Sequence, residues 1–337
     1  MEEIFSWNVM IIKIEKLDEV YVRAFSDPSI EQELSDFFTY EYPGARFTPQ
    51  YRARLWDGKV RLYDVVRKTI YVGLVSYIEE FATRNGYAVE YVNQVRHENG
   101  ITHEQVEGFA KVLKPMGRGQ PIEIRDYQVE AVKTALDKER TLLLSPTASG
   151  KSFIIYTAMR WHLAHQRKCI IIVPTTSLVE QLYADFEDYS SANGWKVGVH
   201  CQKLYSGFSK EFTRDVLITT WQSVYLQPRA WFKQFDVIFG DEAHQFKAKS
   251  LGTVMEKMTG SRYRIGTTGT IDNSKVNKLV LEGLFGPVVQ VATTSQLVKE
   301  KHLANFRINC IILEHEEKIR KEAKEWNNAI QSGLLKH

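Results

Sequence analysis

The sequence lacks the features that mark membrane, secreted and disulfide-linked proteins. No apolar run approaches the roughly 20 residues that a membrane-spanning helix needs. The N-terminus, MEEIFSW, has neither the basic start nor the long apolar stretch of a signal peptide. The chain has three cysteines, Cys169, Cys201 and Cys310, which lie far apart in sequence without metal-type spacing. Their odd number argues against a disulfide framework. We therefore expect a cytoplasmic protein with reduced thiols and no membrane partner.

A large net charge is also missing. The chain carries 44 Lys and Arg against 41 Asp and Glu, a formal charge of +3, which is too small to identify a nucleic-acid partner. The hydrophobic content of 44% and charged content of 25% are ordinary for a globular protein. With 337 residues the chain has room for about two domains of roughly 150 residues each.

The first 95 residues indicate a small α/β domain. Strand-like runs at 9–15 and 20–25 precede a predicted helix, which Ser29 would cap and which would extend from Ile30 to about Tyr40. Further elements are predicted as strands at 59–63, 69–72 and 88–92 and a helix at 74–84 that Gly86 ends. Residues 96–121 read as a helix with a Thr102–Gln105 capping box, followed by a linker rich in Gly and Pro at 114–121.

From residue 122 to 308 the pattern changes to strands that alternate with helices. The short apolar runs lie at 141–145, 168–173, 215–219, 237–240 and 263–266. Continuous apolar strands of this kind are typical of a parallel sheet that is covered on both faces. The sequence therefore predicts an α/β fold with a mostly parallel sheet, preceded by the small α/β N-terminal domain.

A candidate phosphate-binding loop follows the first of these strands. Its residues are Ser145, Pro146, Thr147, Ala148, Ser149, Gly150, Lys151 and Ser152, and a helix is predicted directly after them. The backbone N–H groups and the positive helix end would face the phosphates, while Lys151 would neutralise them and Ser152 would ligate Mg²⁺. Ser145 stands where the general motif has its first glycine. The alternative is a chance Gly-Lys-Ser in a turn.

A second motif, which is acidic, follows the strand at 237–240 and has the sequence Asp241-Glu242-Ala243-His244. Acidic side chains at the carboxyl end of a parallel strand lie where such sheets bind ligands. Asp241 would hold Mg²⁺, Glu242 would orient and deprotonate an attacking water, and His244 would sense the γ-phosphate. The alternative is a polar helix cap.

These two motifs together resemble those of superfamily 2 helicases, and further motifs follow in the family's order. The resemblance implies that Arg125, Tyr127 and Gln128 bind the adenine, although Tyr127 and Gln128 taken alone would be read as an ordinary helix start. It also implies that nucleic acid is contacted by Thr175, Thr176, Thr220 and Gln222. Two further residues, Thr268 and Thr270, would couple ATP hydrolysis to strand movement. The match around Thr268 is loose.

The chain is most similar to the UvsW family of phage recombination helicases, and this resemblance reaches into the N-terminal segment 46–63. It implies a RecA-like P-loop domain, ATP and Mg²⁺ as cofactors, and remodelling of branched DNA in recombination, repair and replication. A monomer in the host cytoplasm is expected if a phage encodes it. Residues 309–337 would lead toward a second RecA-like domain with an arginine finger, which this sequence does not contain. We therefore expect a truncated protein that binds ATP weakly and unwinds nothing alone.

A concentrated basic segment at 46–68 suggests where nucleic acid would bind. It has seven basic and two acidic residues, and aromatic residues are interleaved with them. Basic side chains meet phosphates and aromatic rings stack on bases, which makes the following residues candidates: Arg52, Arg54, Trp56, Lys59 and Arg61. The alternative is that the aromatic rings belong to the core, the charges form a solvated strand face and Trp56-Asp57-Gly58 is a hairpin turn.

Two other functions remain open. Asp-Glu-Ala-His also occurs in RNA helicases, although the N-terminal resemblance favours DNA. A module that uses ATP only as a conformational switch is the other possibility, against which Lys151, Asp241 and Glu242 argue.

Overall fold

The computed structural model describes residues 10–206, 211–247, 249–271, 274–301, 303–304, 321–322 and 324–326. The predicted connection at 306–313, Cys310, and most of the predicted helix beyond Glu314 lie outside the described residues. Among the described residues, no helix is long and apolar enough to cross a membrane.

The N-terminal part combines short strands and helices. Its elements are β1 Ile11–Lys16, β2 Tyr21–Phe25, α1 Pro28–Phe37, β3 Thr39–Glu41, α2 Pro49–Arg52, β4 Lys59–Arg61, β5 Thr69–Tyr71, α3 Val75–Asn85 and β6 Ala88–Tyr91. Four strands form a sheet in the order β5-β2-β1-β6, in which β1 is antiparallel to β2 and parallel to β6. Apolar side chains of this sheet and of α1 and α3 form one buried core.

Helix ends in this part test the capping predictions. The prediction that Ser29 caps the first helix is wrong, because Pro28 occupies the first turn and Asp27 is the N-cap residue. Proline suits that position, since its missing N–H would be unpaired there anyway. Gly86 ends α3 in the left-handed conformation as predicted. The predicted capping box is also confirmed, with Thr102 and Gln105 bonding reciprocally at the start of α4 His103–Leu113.

The segment predicted as a linker at 114–121 is ordered. It folds into a two-stranded hairpin of β7 Met116–Gly117 and β8 Gln120–Pro121. The amide of Arg118 in its turn donates to the Asp188 carboxylate, so the hairpin is fixed against the second part of the chain.

The second part has a larger α/β architecture. Its elements are α5 Asp126–Asp137, β9 Arg140–Leu144, α6 Lys151–Ala164, β10 Cys169–Val173, α7 Thr176–Tyr189, α8 Val197–His200, β11 Cys201–Leu204, β12 Val216–Thr220, α9 Trp221–Val224, α10 Arg229–Phe232, β13 Val237–Gly240, α11 Lys249–Lys257, β14 Tyr263–Thr268, α12 Lys275–Phe285, β15 Val288–Gln290 and α13 Thr294–Lys299. Within the described residues, seven strands form one parallel sheet in the order β11-β12-β10-β13-β14-β9-β15. The predicted parallel sheet is confirmed, and two edge strands, β11 and β15, are added to it.

The register of this sheet brings five motif-bearing strand ends to one edge. Val173 is level with Thr220, Gly240 with Gly266 and Leu144 with Thr268. Because the strands are parallel, the loops that follow β12, β10, β13, β14 and β9 all leave from the same side. Ligands bind at this carboxyl edge in open parallel sheets.

The two parts of the chain are packed tightly against each other. A Cβ atom at Gly73 would lie 1.9 Å from the Glu282 carbonyl oxygen, so no side chain fits there. The Tyr71 hydroxyl donates to Glu256 at 2.5 Å and the Tyr77 hydroxyl to Glu282 at 2.6 Å. These contacts hold the small sheet against α11 and α12.

Candidate functional site

The loop between β9 and α6 has a tightly braced conformation. The Ser145 and Ser149 hydroxyls lie 2.6 Å apart, and Ser149 also donates to the Pro146 carbonyl at 2.6 Å. Ser145 therefore bonds within the loop at the position where the general motif has glycine. Gly150 has φ +81, and a Cβ atom there would lie 2.5 Å from the Gln128 amide nitrogen. Only glycine fits such a position without displacing its neighbour.

The lysine of this loop meets the acidic motif. Lys151 Nζ lies 2.7 Å from Glu242 Oε1, although the two residues are 91 positions apart in sequence. Asp241 is adjacent, and its Oδ1 accepts a hydrogen bond of 2.7 Å from the Thr267 hydroxyl. Burial raises the pKa of Asp241 above its usual value, while Thr267 and the positive charge of Lys151 oppose this rise. The structure thus brings together the three residues on which the predicted phosphate–magnesium site depends.

His244 links the acidic motif to the loop after β14. Its Nδ1 lies 3.0 Å from the Thr268 hydroxyl and 3.4 Å from Glu242 Oε2. Thr268 donates its only hydroxyl proton to the Thr270 carbonyl at 2.8 Å. The hydroxyl must therefore accept from His244, which assigns the proton to Nδ1. Of the predicted coupling residues, Thr268 contacts the predicted γ-phosphate sensor directly and Thr270 is linked to it through Thr268.

The start of α5 is tied to the phosphate-binding loop. The Gln128 amide nitrogen donates to the Ser149 carbonyl at 2.9 Å, and the Tyr127 hydroxyl donates to the same oxygen at 3.1 Å. The Gln128 carbonyl accepts from the Arg125 backbone N–H at 3.1 Å. Gln128 is buried, and among the described residues one N–H and one lone pair of its amide have no further hydrogen-bond partner.

Ser152 lies in a different environment from its neighbours. Its hydroxyl is 2.8 Å from the Tyr189 hydroxyl at the end of α7. Burial raises the pKa of the adjacent Asp185 above its usual value, and a hydrogen bond from Ser152 opposes this rise. To ligate a magnesium ion, Ser152 would have to exchange these partners for the metal. Sequence reasoning missed Tyr189 and Asp185 because no motif contains them, and it gave no role to Thr267 although this residue directly precedes Thr268 in the coupling motif.

The predicted nucleic-acid residues of the larger part lie along the same sheet edge. Thr175 and Thr176 are exposed at the start of α7, where the Thr175 hydroxyl accepts from the Leu178 amide at 3.3 Å. Gln222 is exposed in α9, whereas the Thr220 hydroxyl is paired with Ser223 at 2.9 Å. The structure therefore brings the candidate nucleic-acid contacts beside the candidate nucleotide site.

The basic segment of the N-terminal part is divided between surface and core. Arg52, Arg54 and Lys59 are exposed, and Arg61 is paired with Asp57 at 2.5 Å. Trp56 is half-buried, and its indole N–H donates to the Lys59 carbonyl at 2.8 Å. Tyr63, an interleaved ring of the sequence pattern, is buried and donates to the Ala24 carbonyl at 2.8 Å. The core interpretation is correct for Tyr63 and wrong for Phe47 and Tyr51, which are exposed, while the exposed basic side chains agree with the solvated face that it expects.

Comparisons with known proteins match both parts of the chain. Residues 11–92 match the family described as "DNA helicase UvsW, N-terminal", and residues 121–273 match "Type III restriction enzyme, res subunit". The ATP-dependent DNA helicase uvsW of Enterobacteria phage T4 is 32% identical over 320 residues, which are 94% of this chain and 63% of that relative. The DNA 3'-5' translocase XPB2 of Sulfurisphaera tokodaii is 26% identical, over 61% of this chain and 45% of its own length.

Solved structures give the same result. A crystal structure of the UvsW helicase from bacteriophage T4 superposes with a TM-score of 0.76 at 31% identity. The superposition covers 83% of this chain and 100% of that chain. This similarity includes the N-terminal sheet as well as the larger parallel one, because either part alone would be too short to give that coverage.

Proposed function

Because this chain belongs to the UvsW family of superfamily 2 helicases, we propose that it is an ATP-dependent DNA helicase or translocase that remodels branched DNA in recombination, repair and replication. The observation that carries the proposal is the 2.7 Å contact between Lys151 and Glu242, with Asp241 beside it. A loop lysine and two carboxylates at the carboxyl edge of a parallel sheet can hold a magnesium–triphosphate.

The chemistry assigns a role to each residue of this site. Lys151 would neutralise the β and γ phosphates together with the backbone amides of residues 146–152. Ser152 and Asp241 would hold Mg²⁺, which when bound neutralises charge on the triphosphate. Glu242 would orient the attacking water and accept its proton. The free N–H and lone pair of the Gln128 amide suit an adenine edge, with Arg125 and Tyr127 beside it.

Nucleic acid would lie along the neighbouring strand ends. The exposed Thr175, Thr176 and Gln222 supply hydroxyl, amide and helix N-terminal groups that suit a phosphate backbone, whereas Thr220 is buried and would support Gln222 from below. His244 and Thr268 would carry the state of the nucleotide to the loop at Thr270. The 3.0 Å contact between His244 and Thr268 supports this coupling.

The chain spans 63% of the length of the T4 relative, so the activity of the whole protein is part of the proposal. We propose that the intact protein acts as a cytoplasmic monomer and closes its nucleotide site with a second RecA-like domain. An arginine from such a domain can raise turnover by roughly 10³- to 10⁵-fold. The 337-residue chain should accordingly bind ATP and hydrolyse it slowly, without unwinding DNA.

Stimulated ATP hydrolysis tests the proposal. Turnover is measured with forked DNA, single-stranded DNA, duplex DNA and RNA, for a version of the chain that carries the second domain. Forked DNA should stimulate most, and Lys151→Ala should abolish turnover because phosphate charge is no longer neutralised. Lys111→Ala, an exposed lysine on α4, serves as the control and should leave turnover unchanged. Stimulation by RNA alone would indicate an RNA helicase, and ATP binding without hydrolysis would indicate a nucleotide-switched binding module.

A further inference from the structure

An ordered loop at residues 44–58 lies between β3 and β4, which pair as a separate two-stranded antiparallel sheet. Its ends are joined by a 2.8 Å hydrogen bond from the Tyr42 amide to the Gly58 carbonyl. Gly58 is buried with φ +78, and a Cβ atom there would lie 3.0 Å from the Tyr51 ring. Within the loop, the Thr48 hydroxyl caps α2 by accepting from the Tyr51 amide. The 44–58 loop is therefore a preformed structure that can present a binding surface.

A cleft of about 580 Å³ opens on this loop, between basic and aromatic side chains. Its lining includes Arg46, Arg52, Arg54, Tyr51 and Trp56. In the described part of the chain, none of these three arginines forms an ion pair with a carboxylate. Tyr51 is 41% exposed, so its side chain is accessible from solvent. Unpaired cations beside accessible rings suit a nucleotide, because a phosphate and a base can be satisfied together.

A second cleft, of about 470 Å³, lies where the two parts of the chain meet. The N-terminal part contributes Arg61 and Arg67, which pair with Asp57 and Asp64, together with Asp18. It also contributes the stacked rings of Tyr21 and Tyr71, whose centroids are 5.3 Å apart. The larger part contributes Arg229, the exposed first residue of α10. No described carboxylate pairs with Arg229. This junction cleft was not predicted, because its walls come from segments more than 150 positions apart.

The two clefts are connected along β4. Arg61 in the junction cleft forms an ion pair with Asp57, which lines the cleft of the 44–58 loop. Lys59 and Arg61 face solvent on the same side of this short strand, because alternate residues of a strand share a face. Arg229, in turn, closely follows the segment with Thr220 and Gln222 in sequence. We call the path from Gln222 through Arg229 and the Arg61–Asp57 pair to the 44–58 loop the basic track.

We infer that this track binds one unpaired strand of a branched DNA. The strand would leave the edge at Gln222, cross the junction cleft on the unpaired Arg229, and place a base against Tyr51 in the 44–58 loop. An unpaired strand fits better than a duplex, because stacked and paired bases expose no face to a ring. The inference rests on the proposed function, since it assigns the path of the DNA that the ATPase would move.

Equilibrium binding of labelled DNA tests the track, with a fork that has one unpaired arm and a duplex of equal length. Arg229→Ala should lower the slope of log affinity against log salt by about 0.7 for the fork and leave the duplex unchanged. Tyr51→Ala should weaken fork binding about tenfold, and Tyr51→Phe should restore it because the ring stacks without its hydroxyl. Arg84→Ala, which removes an exposed arginine of α3, should change neither substrate.

The outcomes separate this inference from the proposed function. Unchanged fork binding in both variants, or equal weakening of fork and duplex, would overturn the track while the Lys151-dependent ATPase stands. Failure of any nucleic acid to stimulate hydrolysis would instead defeat the proposed function. Circular dichroism of each variant verifies folding, and failure of Tyr51→Phe to restore binding would also count against stacking.

Discussion

Thr267 is a residue whose importance comes entirely from one hydrogen bond. Its hydroxyl donates to Asp241 Oδ1 at 2.7 Å and so fixes the carboxylate that would hold Mg²⁺. Groups that orient a metal ligand typically contribute 10- to 100-fold in activity. Thr267→Val should therefore lower kcat/KM for ATP by about that factor, as measured by steady-state hydrolysis, and Thr267→Ser should recover most of it.

Thr141 offers a matched control for this substitution. It is also a fully buried threonine of the same sheet, but among the described residues its hydroxyl has no hydrogen-bond partner. Thr141→Val removes an unsatisfied group with little change of shape, so stability should stay equal or rise by about 1 kcal/mol. Equal losses of hydrolysis in both valine variants would mean that packing, and not the hydrogen bond to Asp241, explains the effect.

The sequence predicts some of these site residues and misses others for a physical reason. Lys151 and Glu242 lie in contiguous motifs whose chemistry can be recognised without knowing the fold. Thr267 reaches Asp241 only because Gly240 is level with Gly266, so that the residues following these two glycines lie side by side. Register is set by packing of the whole sheet and is not encoded in any short segment.

At the scale of elements, burial decides which strands could be predicted. β10, β12 and β13 are buried at every position, and they stand out in the sequence as short apolar runs. The edge strand β11 has two half-buried polar residues, Gln202 and Lys203, and β15 has three residues and no fully buried one. Such strands carry too little periodicity to differ from a loop. Their pairing comes from the neighbouring strand.

Where α6 meets α7, the Tyr189 hydroxyl would compete with Mg²⁺ for the hydroxyl of Ser152. Burial raises the pKa of Tyr189 to about 12, so its hydroxyl keeps its proton at neutral pH and remains a partner for Ser152. Tyr189→Phe removes this competing bond and should tighten binding of Mg²⁺–ATP about threefold to tenfold. Isothermal titration with a non-hydrolysable ATP analogue measures the change, with and without Mg²⁺.

A tyrosine elsewhere on the same helix controls for loss of a hydroxyl. Tyr183 packs near Gly198 and beneath Lys203, away from the phosphate-binding loop. Tyr183→Phe should leave nucleotide affinity unchanged. If Tyr189→Phe weakened binding, or tightened it equally without Mg²⁺, the competition at Ser152 would be disproved.

At the scale of the whole molecule, a buried ion pair joins the two parts of the chain. Arg140 Nη2 lies 2.7 Å from Glu19 Oε2, and only 11% and 18% of the two side chains are exposed. The Glu19 amide also donates to the Thr259 carbonyl at 3.0 Å. The sequence gives no indication of this contact, because the two charged residues are 121 positions apart. Their pairing depends on how the two parts dock.

Glu19 should make stability depend on pH. Burial alone would raise the pKa of Glu19, but the charges of Arg140 and Lys16 lower it below the ordinary value of 4.5. The ionised form is thus favoured by folding, so its stabilisation is complete above pH 4.5 and is lost as pH falls through the lowered pKa. Glu19→Gln should lower the free energy of unfolding by about 2 to 3 kcal/mol at pH 7, because Arg140 stays buried without a counter-charge. The same substitution should make the free energy of unfolding less dependent on pH in acid.

Urea unfolding at pH 7 and in acid, followed by tryptophan fluorescence, measures both effects. Glu15→Gln is the matched control, because Glu15 pairs with Arg23 on the exposed face of the same small sheet. A pair so accessible to solvent contributes at most about 1 kcal/mol, so this variant should unfold almost like the parent. If both glutamine variants unfolded alike at pH 7, the buried pair would not be what holds the two parts together. The Tyr71 and Tyr77 hydrogen bonds and the close approach at Gly73 would then have to carry the interface.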